Sequence, residues 1–156
     1  MVTKTRKGGC ACGAARYELR RAPLFVHACH CTDCQRLSAS AFGISMMVEA
    51  SALVLVEGRA ARVAMVADSG RTKQIFFCPD CSSQLWNEVP HRPGLLTLKA
   101  GTLDEVDWFR PEAHIWTRSK QAWLRLDDGA PAFETTYDQA ALWPAESQER
   151  ARLAAR

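Results

Sequence analysis

Seven cysteines fall in three short runs, Cys10-Ala11-Cys12, Cys29-His30-Cys31-Thr32-Asp33-Cys34 and Cys78-Pro79-Asp80-Cys81, and this clustering constrains the chain more than any other feature. A structural zinc site takes four tetrahedral ligands at about 2.3 Å from sulfur, and two close pairs supply them. Cys-x-Cys offers a pair from an extended segment, because residues i and i+2 share one face. Cys-Pro-Asp-Cys offers a pair from a tight turn whose N–H groups also bond to the sulfurs. The middle run holds three thiols and leaves a tetrahedral metal one ligand short, the arrangement of a working zinc site with an exchangeable fourth position. Four plus three is the simplest partition. Spacing alone leaves open whether Cys10 and Cys12 join Cys78 and Cys81 or members of the middle run.

Disulfides fit poorly. The cysteine count is odd, adjacent Cys-x-Cys pairs do not readily bridge each other, and the basic start Lys4-Thr5-Arg6-Lys7 runs into Gly8-Gly9-Cys10 without the apolar stretch of a secretory signal. The expected address is the cytoplasm, where thiols stay reduced. A thioredoxin-like redox site would need a βαβ unit, and the pattern contains none.

At 156 residues, 47% hydrophobic and 24% charged, the chain has the size and composition of one globular domain. No apolar run approaches the ~20 residues that span a bilayer. A net charge of +3, with scattered basic residues, argues against a dedicated nucleic-acid binder. Short segments rich in β-branched and aromatic residues recur at 15–20, 24–28, 42–48, 52–56, 62–66, 74–77, 84–89, 95–99 and 113–116, which predicts a mainly β domain over 1–136. Asp68-Ser69-Gly70, 90–94 and Asp127-Asp128-Gly129 read as turns. Only the tail, 137–156, has helical character, with Pro144 between two short helices and Glu146 spaced to pair with Arg150. It reads as an extension of the same domain, serving either as a homodimer contact or by packing on the domain.

Three stretches resemble the glutathione-dependent formaldehyde-activating enzyme family, which also includes centromere protein V. They are Gly8-Gly9-Cys10-Ala11-Cys12-Gly13 with Arg16-Tyr17-Glu18, the run from Cys29 through Gln35-Arg36-Leu37-Ser38-Ala39-Ser40-Ala41-Phe42, and Phe77-Cys78-Pro79-Asp80-Cys81. A looser match follows in His114-Ile115-Trp116 and Trp123. The resemblance implies a zinc-stapled fold of the β-tent type holding two Zn2+ ions. Cys10, Cys12, Cys78 and Cys81 would hold a structural zinc, and Cys29, Cys31 and Cys34 a second zinc at the substrate site. Two positions depart from the pattern: Ser82 follows the second knuckle cysteine where Gly is usual, and Ala39 stands where Gly is common after Arg-x-Ser.

The family's reaction joins glutathione to formaldehyde as a carbon–sulfur lyase run in the synthetic direction, so a small thiol is the expected partner. A free thiol with a pKa near ~8.5 is mostly protonated at neutral pH, whereas zinc ligation deprotonates it. The expected chemistry is attack of a zinc-held thiol on an aldehyde carbonyl. His30, between two ligands, and Arg36, a partner for a substrate carboxylate, are the candidate catalytic residues. The extended segment directs His30 away from the metal, toward solvent or a local hydrogen bond. An ion pair within the fold is an equal alternative role for Arg36. His27, His91 and His114 lack ligand spacing, and Trp116 and Trp123 read first as core residues and second as walls of a pocket. A non-catalytic module with both zincs structural, binding a protein or nucleic acid, is the alternative; a fourth ligand such as His27, or a water-excluding plug over the middle run, would mark it. A repair protein resembling methionine sulfoxide reductase would need a free cysteine outside the metal sites, which the tight packing of the middle run disfavours.

Overall fold

The computed structural model describes residues 4–67 and 70–156; Asp68 and Ser69 of the expected turn lie outside the described residues, as do the first three residues. The chain runs β1 (Arg6–Gly9), β2 (Arg16–Leu19), β3 (Phe25–Cys29), α1 (Thr32–Ser38), β4 (Gly43–Glu49), β5 (Leu53–Glu57), β6 (Ala61–Val66), β7 (Thr72–Phe77), β8 (Gln84–Glu88), β9 (Leu95–Lys99), β10 (Ala113–Ile115), α2 (Gln139–Leu142) and α3 (Ala145–Ala154). The fold is mainly β, as the segment pattern predicts.

Two sheets form. One is three-stranded in the order β1-β2-β5, and the other is seven-stranded in the order β10-β3-β4-β9-β8-β7-β6. Every pairing between these strands is antiparallel except that of β10 with β3. Side chains alternate across a strand, and β3 and β4 use both faces. Val26, Met46 and Val48 enter one core with Tyr17 and Leu19 of the small sheet and with Leu85, Trp86 and Leu98. Phe25 and Met47 enter a second core with Leu24, Leu95, Ala113, Trp143 and Ala151. The second core is where the tail docks, so the tail packs on its own chain. Trp143 stacks on Phe25 with centroids 5.7 Å apart and donates from Nε1 to the Tyr137 hydroxyl at 3.1 Å.

Arg150 does not pair with Glu146 as its spacing suggests. It reaches across to β4, donating to both oxygens of Glu49 at 2.9 and 2.7 Å and to the Ala22 carbonyl at 2.7 Å. The buried Glu49 carboxylate is a stronger attractor than an exposed neighbour one turn away. Gly94 sits under the same helix with φ +75, where an added Cβ would lie 1.8 Å from the Ala154 carbonyl oxygen.

Two elements depart from expectation. β1, Arg-Lys-Gly-Gly, has no β-branched residue, yet it pairs with β2 because Gly8 lets the Tyr17 ring close over it; a Cβ there would come within 2.4 Å of that ring. Helical structure is also not confined to the tail. α1 grows out of the middle cysteine run, capped by Cys31, whose sulfur accepts from the Cys34 N–H at 3.3 Å. Pro144 does separate two short helices.

Candidate metal centres

Cys10 and Cys12 lie in the turn between β1 and β2, and Cys78 and Cys81 in the turn between β7 and β8. Their four sulfurs lie within 4.8 Å of one another. Cys10 to Cys12 is 3.5 Å and Cys12 to Cys78 is 3.8 Å, against the ~3.8 Å edge of a tetrahedron with 2.3 Å zinc–sulfur bonds. The partition that spacing left open is thus resolved as Cys10 and Cys12 with Cys78 and Cys81. The turns also serve the sulfurs directly. Ala15 donates its N–H to Cys10 Sγ at 3.2 Å, and the Ser83 hydroxyl lies 3.2 Å from Cys81 Sγ. The Ser83 hydroxyl, then its N–H, pull the Cys81 thiol down to about 5.

Cys29 ends β3, Cys31 caps α1 and Cys34 lies in the first turn of α1, so a strand end and a helix start converge three sulfurs within 4.8 Å. Cys29 and Cys31 are 3.4 Å apart. Hydrogen bonds from Cys29 and then Cys31 draw the Cys34 thiol well down, with the positive charges of Lys99 and Lys73 adding to the effect. Both groups have the donor chemistry and spacing to hold metal ions, and all seven cysteines are free of disulfides.

His30 is fully buried, facing neither solvent nor a local partner. Its Nε2 lies 3.0 Å from His114 Nδ1, far away in sequence, and its Nδ1 has no hydrogen-bond partner among the described residues. His27 is engaged with the Tyr137 hydroxyl at 3.1 Å and joins neither sulfur cluster. Arg36 is exposed beside a shallow recess with Gln35, Ser40 and Gln121, and among the described residues it makes no salt bridge. Neither Trp116 nor Trp123 belongs to a core. Trp123 is 71% exposed and tethered by Nε1 to Gln121 at 2.7 Å, while Trp116 adopts φ 60 and ends β10 one residue early.

A cleft of about 510 Å³ opens between the α1–β4 loop and the Cys81 turn, lined by Ser38, Phe42, Gly43, Cys81, Ser82, Gln84 and Lys99. Gly43 backs onto Cys34, since an added Cβ would lie 3.6 Å from the Cys34 Cβ. Lys99 was not legible as a site residue from sequence. Only the pairing of β9 with β4, opposite Ser45, brings it there.

The family model for the glutathione-dependent formaldehyde-activating enzymes matches residues 5–119. This chain belongs to the glutathione-dependent formaldehyde-activating enzyme family. Both sulfur clusters fall inside the matched span. No match to a curated protein was found. Among solved structures, the crystal structure of a Rhodobacter sphaeroides protein, a structural genomics target, is similar at TM-score 0.51 and 19% identity, covering 81% of this chain and 98% of that one. That likeness concerns the fold.

The two departures from the family's glycines keep glycine-like backbone. Ala39 has φ 49 and closes α1, with its N–H on Arg36 and the Ser40 N–H on Gln35; Ser82 has φ 60 behind Cys81. A left-handed conformation costs an L-residue on the order of 1 kcal/mol. Ala39→Gly and Ser82→Gly are each expected to stabilise the protein by about 0.5–1 kcal/mol, read as a higher urea midpoint at unchanged slope.

Proposed function

We propose that this chain is a zinc-dependent carbon–sulfur lyase acting in the synthetic direction on a small thiol such as glutathione and an aldehyde such as formaldehyde, giving S-hydroxymethylglutathione or a related adduct. The observation that carries this reading is the three-sulfur cluster of Cys29, Cys31 and Cys34, which gathers no fourth Cys, His, Asp or Glu ligand atom among the described residues. Cys10, Cys12, Cys78 and Cys81 would hold one zinc as a closed staple, and Cys29, Cys31 and Cys34 a second. Zinc bound by the three-sulfur set supplies a centre that deprotonates a thiol and keeps it nucleophilic.

The chain's own residues prepare that place. The Cys34 N–H holds Cys31 Sγ, and Lys99 and Lys73 set positive charge beside the sulfurs, which favours an anionic thiol over a neutral one. A cleft with the volume of a small-molecule site lies on the far side of Gly43 from Cys34, lined by Cys81 of the four-sulfur group and by Lys99 and not by the three sulfurs themselves. Arg36, exposed and without a salt bridge among the described residues, is available to a substrate carboxylate. A reducing compartment such as the cytoplasm would keep these thiols competent. His27 bonds to Tyr137 and not to the three-sulfur group, so of the two marks of a binding module, a fourth ligand or a water-excluding plug, that ligand is not supplied by His27.

Cobalt substitution tests the reading. Glutathione is expected to shift the absorption of the cobalt bound second, and the zinc protein is expected to consume formaldehyde with glutathione. Cys34→Ser should lower that activity on the order of 100-fold or more, since changes outside the ligand shell alone cost about 10–100-fold. A cobalt spectrum indifferent to glutathione, together with full activity in Cys34→Ser, would sink the proposal.

A further inference from the structure

We propose that His114 and Asp128 are positioning residues for the three-sulfur site, acting through His30 to hold the Cys29-His30-Cys31 segment in its ligating shape. This rests on the reading of that cluster as a metal site. In the extended segment Cys29 and Cys31 share one face and His30 takes the other. The His30 ring is buried between Phe42 and His114, with centroids 5.2 Å from each.

The chain of hydrogen bonds has a direction. His114 Nε2 lies 3.1 and 2.9 Å from the two oxygens of Asp128. A carboxylate only accepts, so His114 carries a proton on Nε2, and as a neutral ring it presents Nδ1 as an acceptor. Against a neutral His114, His30 donates from Nε2, which leaves its Nδ1 as a bare buried acceptor. One carboxylate, its side chain 45% exposed, thus sets the tautomer of two buried rings.

The peptide around His30 is clamped as well. Its N–H donates to the Ile115 carbonyl at 2.9 Å, and its carbonyl accepts from Gln35 Nε2 at 2.8 Å. Gln35 Nε2 is also bonded to the Ser119 carbonyl at 2.8 Å. The ring, the peptide and the neighbouring strand therefore all fix the bond that separates two ligands. A leucine would fill the same volume without burying an unpaired acceptor, which costs on the order of 1–3 kcal/mol. What the imidazole chain adds is direction. It fixes one rotation of the residue between the sulfurs before a metal arrives, so less ordering is left for the binding step.

Chelator competition on the full-length protein tests this, with zinc titrated against a chromophoric chelator to separate two equivalents. Asp128→Ala and His114→Leu are each expected to weaken the weaker-binding equivalent by about 10–100-fold while the tighter one is unchanged. His114→Asn, whose side-chain oxygen can stand where Nδ1 accepts, should recover most of the loss. Cobalt bound at the weaker site should show altered thiolate charge-transfer bands in Asp128→Ala and His114→Leu but not in His114→Asn. Wild-type affinity for both equivalents in Asp128→Ala and His114→Leu would overturn the proposal. A joint fall of both equivalents, which marks a general folding defect, would overturn it too. Uptake of a single equivalent by the wild-type protein would instead remove the reading of the cluster as a metal site, and this proposal with it.

Discussion

Cys78→Ser is expected to abolish the folded state. Cys78 is wholly buried and belongs to the main core as well as to the four-sulfur cluster. Its sulfur lies 3.8 Å from Cys12, 66 positions away, so the cluster ties the β1–β2 turn to the β7–β8 turn. Structural zinc in small modules supplies about 10–16 kcal/mol of apparent folding free energy, while whole domains are stable by only about 5–15 kcal/mol. Losing one of four ligands at a site of that weight therefore exceeds what the cores hold in reserve. The expected signs are loss of near-ultraviolet dichroism, loss of the tighter zinc equivalent and recovery only as aggregate. Prolonged treatment with a strong chelator should do the same to the wild-type protein. A Cys78→Ser protein that melts like the wild type with both zinc equivalents in place would refute the staple.

Arg150→Ala is expected to cost about 3 kcal/mol, the lower end for breaking a buried ion pair, and to lower Tm by about 6–12 °C for a chain of this length. Glu49 is buried at 2% exposure and held by Arg150 through both oxygens, so truncation leaves a buried carboxylate with one cationic partner in place of two. Arg21, itself half exposed, still reaches Glu49 at 2.9 Å and keeps the cost from rising further. Glu49→Gln combined with Arg150→Ala should recover part of the loss, because a neutral amide costs less to bury than an unpaired charge. Thermal melts of the two variants and the wild type settle the matter; equal melting points for Arg150→Ala and wild type would mean that the pair does not anchor the tail.

The strands were legible because their apolar residues alternate between turn signals, and the observed ends fall within two residues of those read from 24–28, 42–48 or 95–99. β1 was hidden because its strand character comes from Tyr17 lying over Gly8, a contact absent from the local pattern. α1 was hidden for another reason: it is capped by a cysteine sulfur instead of Ser, Thr, Asp or Asn, and it is only seven residues long. The cysteine runs announced metal chemistry by spacing, because ligands must be close in space and neighbours in sequence cannot help being so. His30 stood out between two cysteines and His114 in the looser family-like stretch, but nothing in the sequence joined them to each other or to Asp128. His114 reaches His30 only through the parallel pairing of β10 with β3, and Asp128 arrives from a loop with no regular structure.

That parallel pairing also imposes a timetable on the nascent chain. The four-sulfur group can assemble once Cys81 has left the ribosome, drawing together positions such as Cys12 and Cys78. The ring of His30 waits for a partner 84 positions downstream, and its orienting carboxylate comes later still. Long-range parallel contacts form slowly because loop closure must precede any gain from the contact. In a newly made chain the four cysteines of the first group are therefore all present before the three-thiol loop gains the contacts that bury His30, and during that interval those three sulfurs are the less protected set.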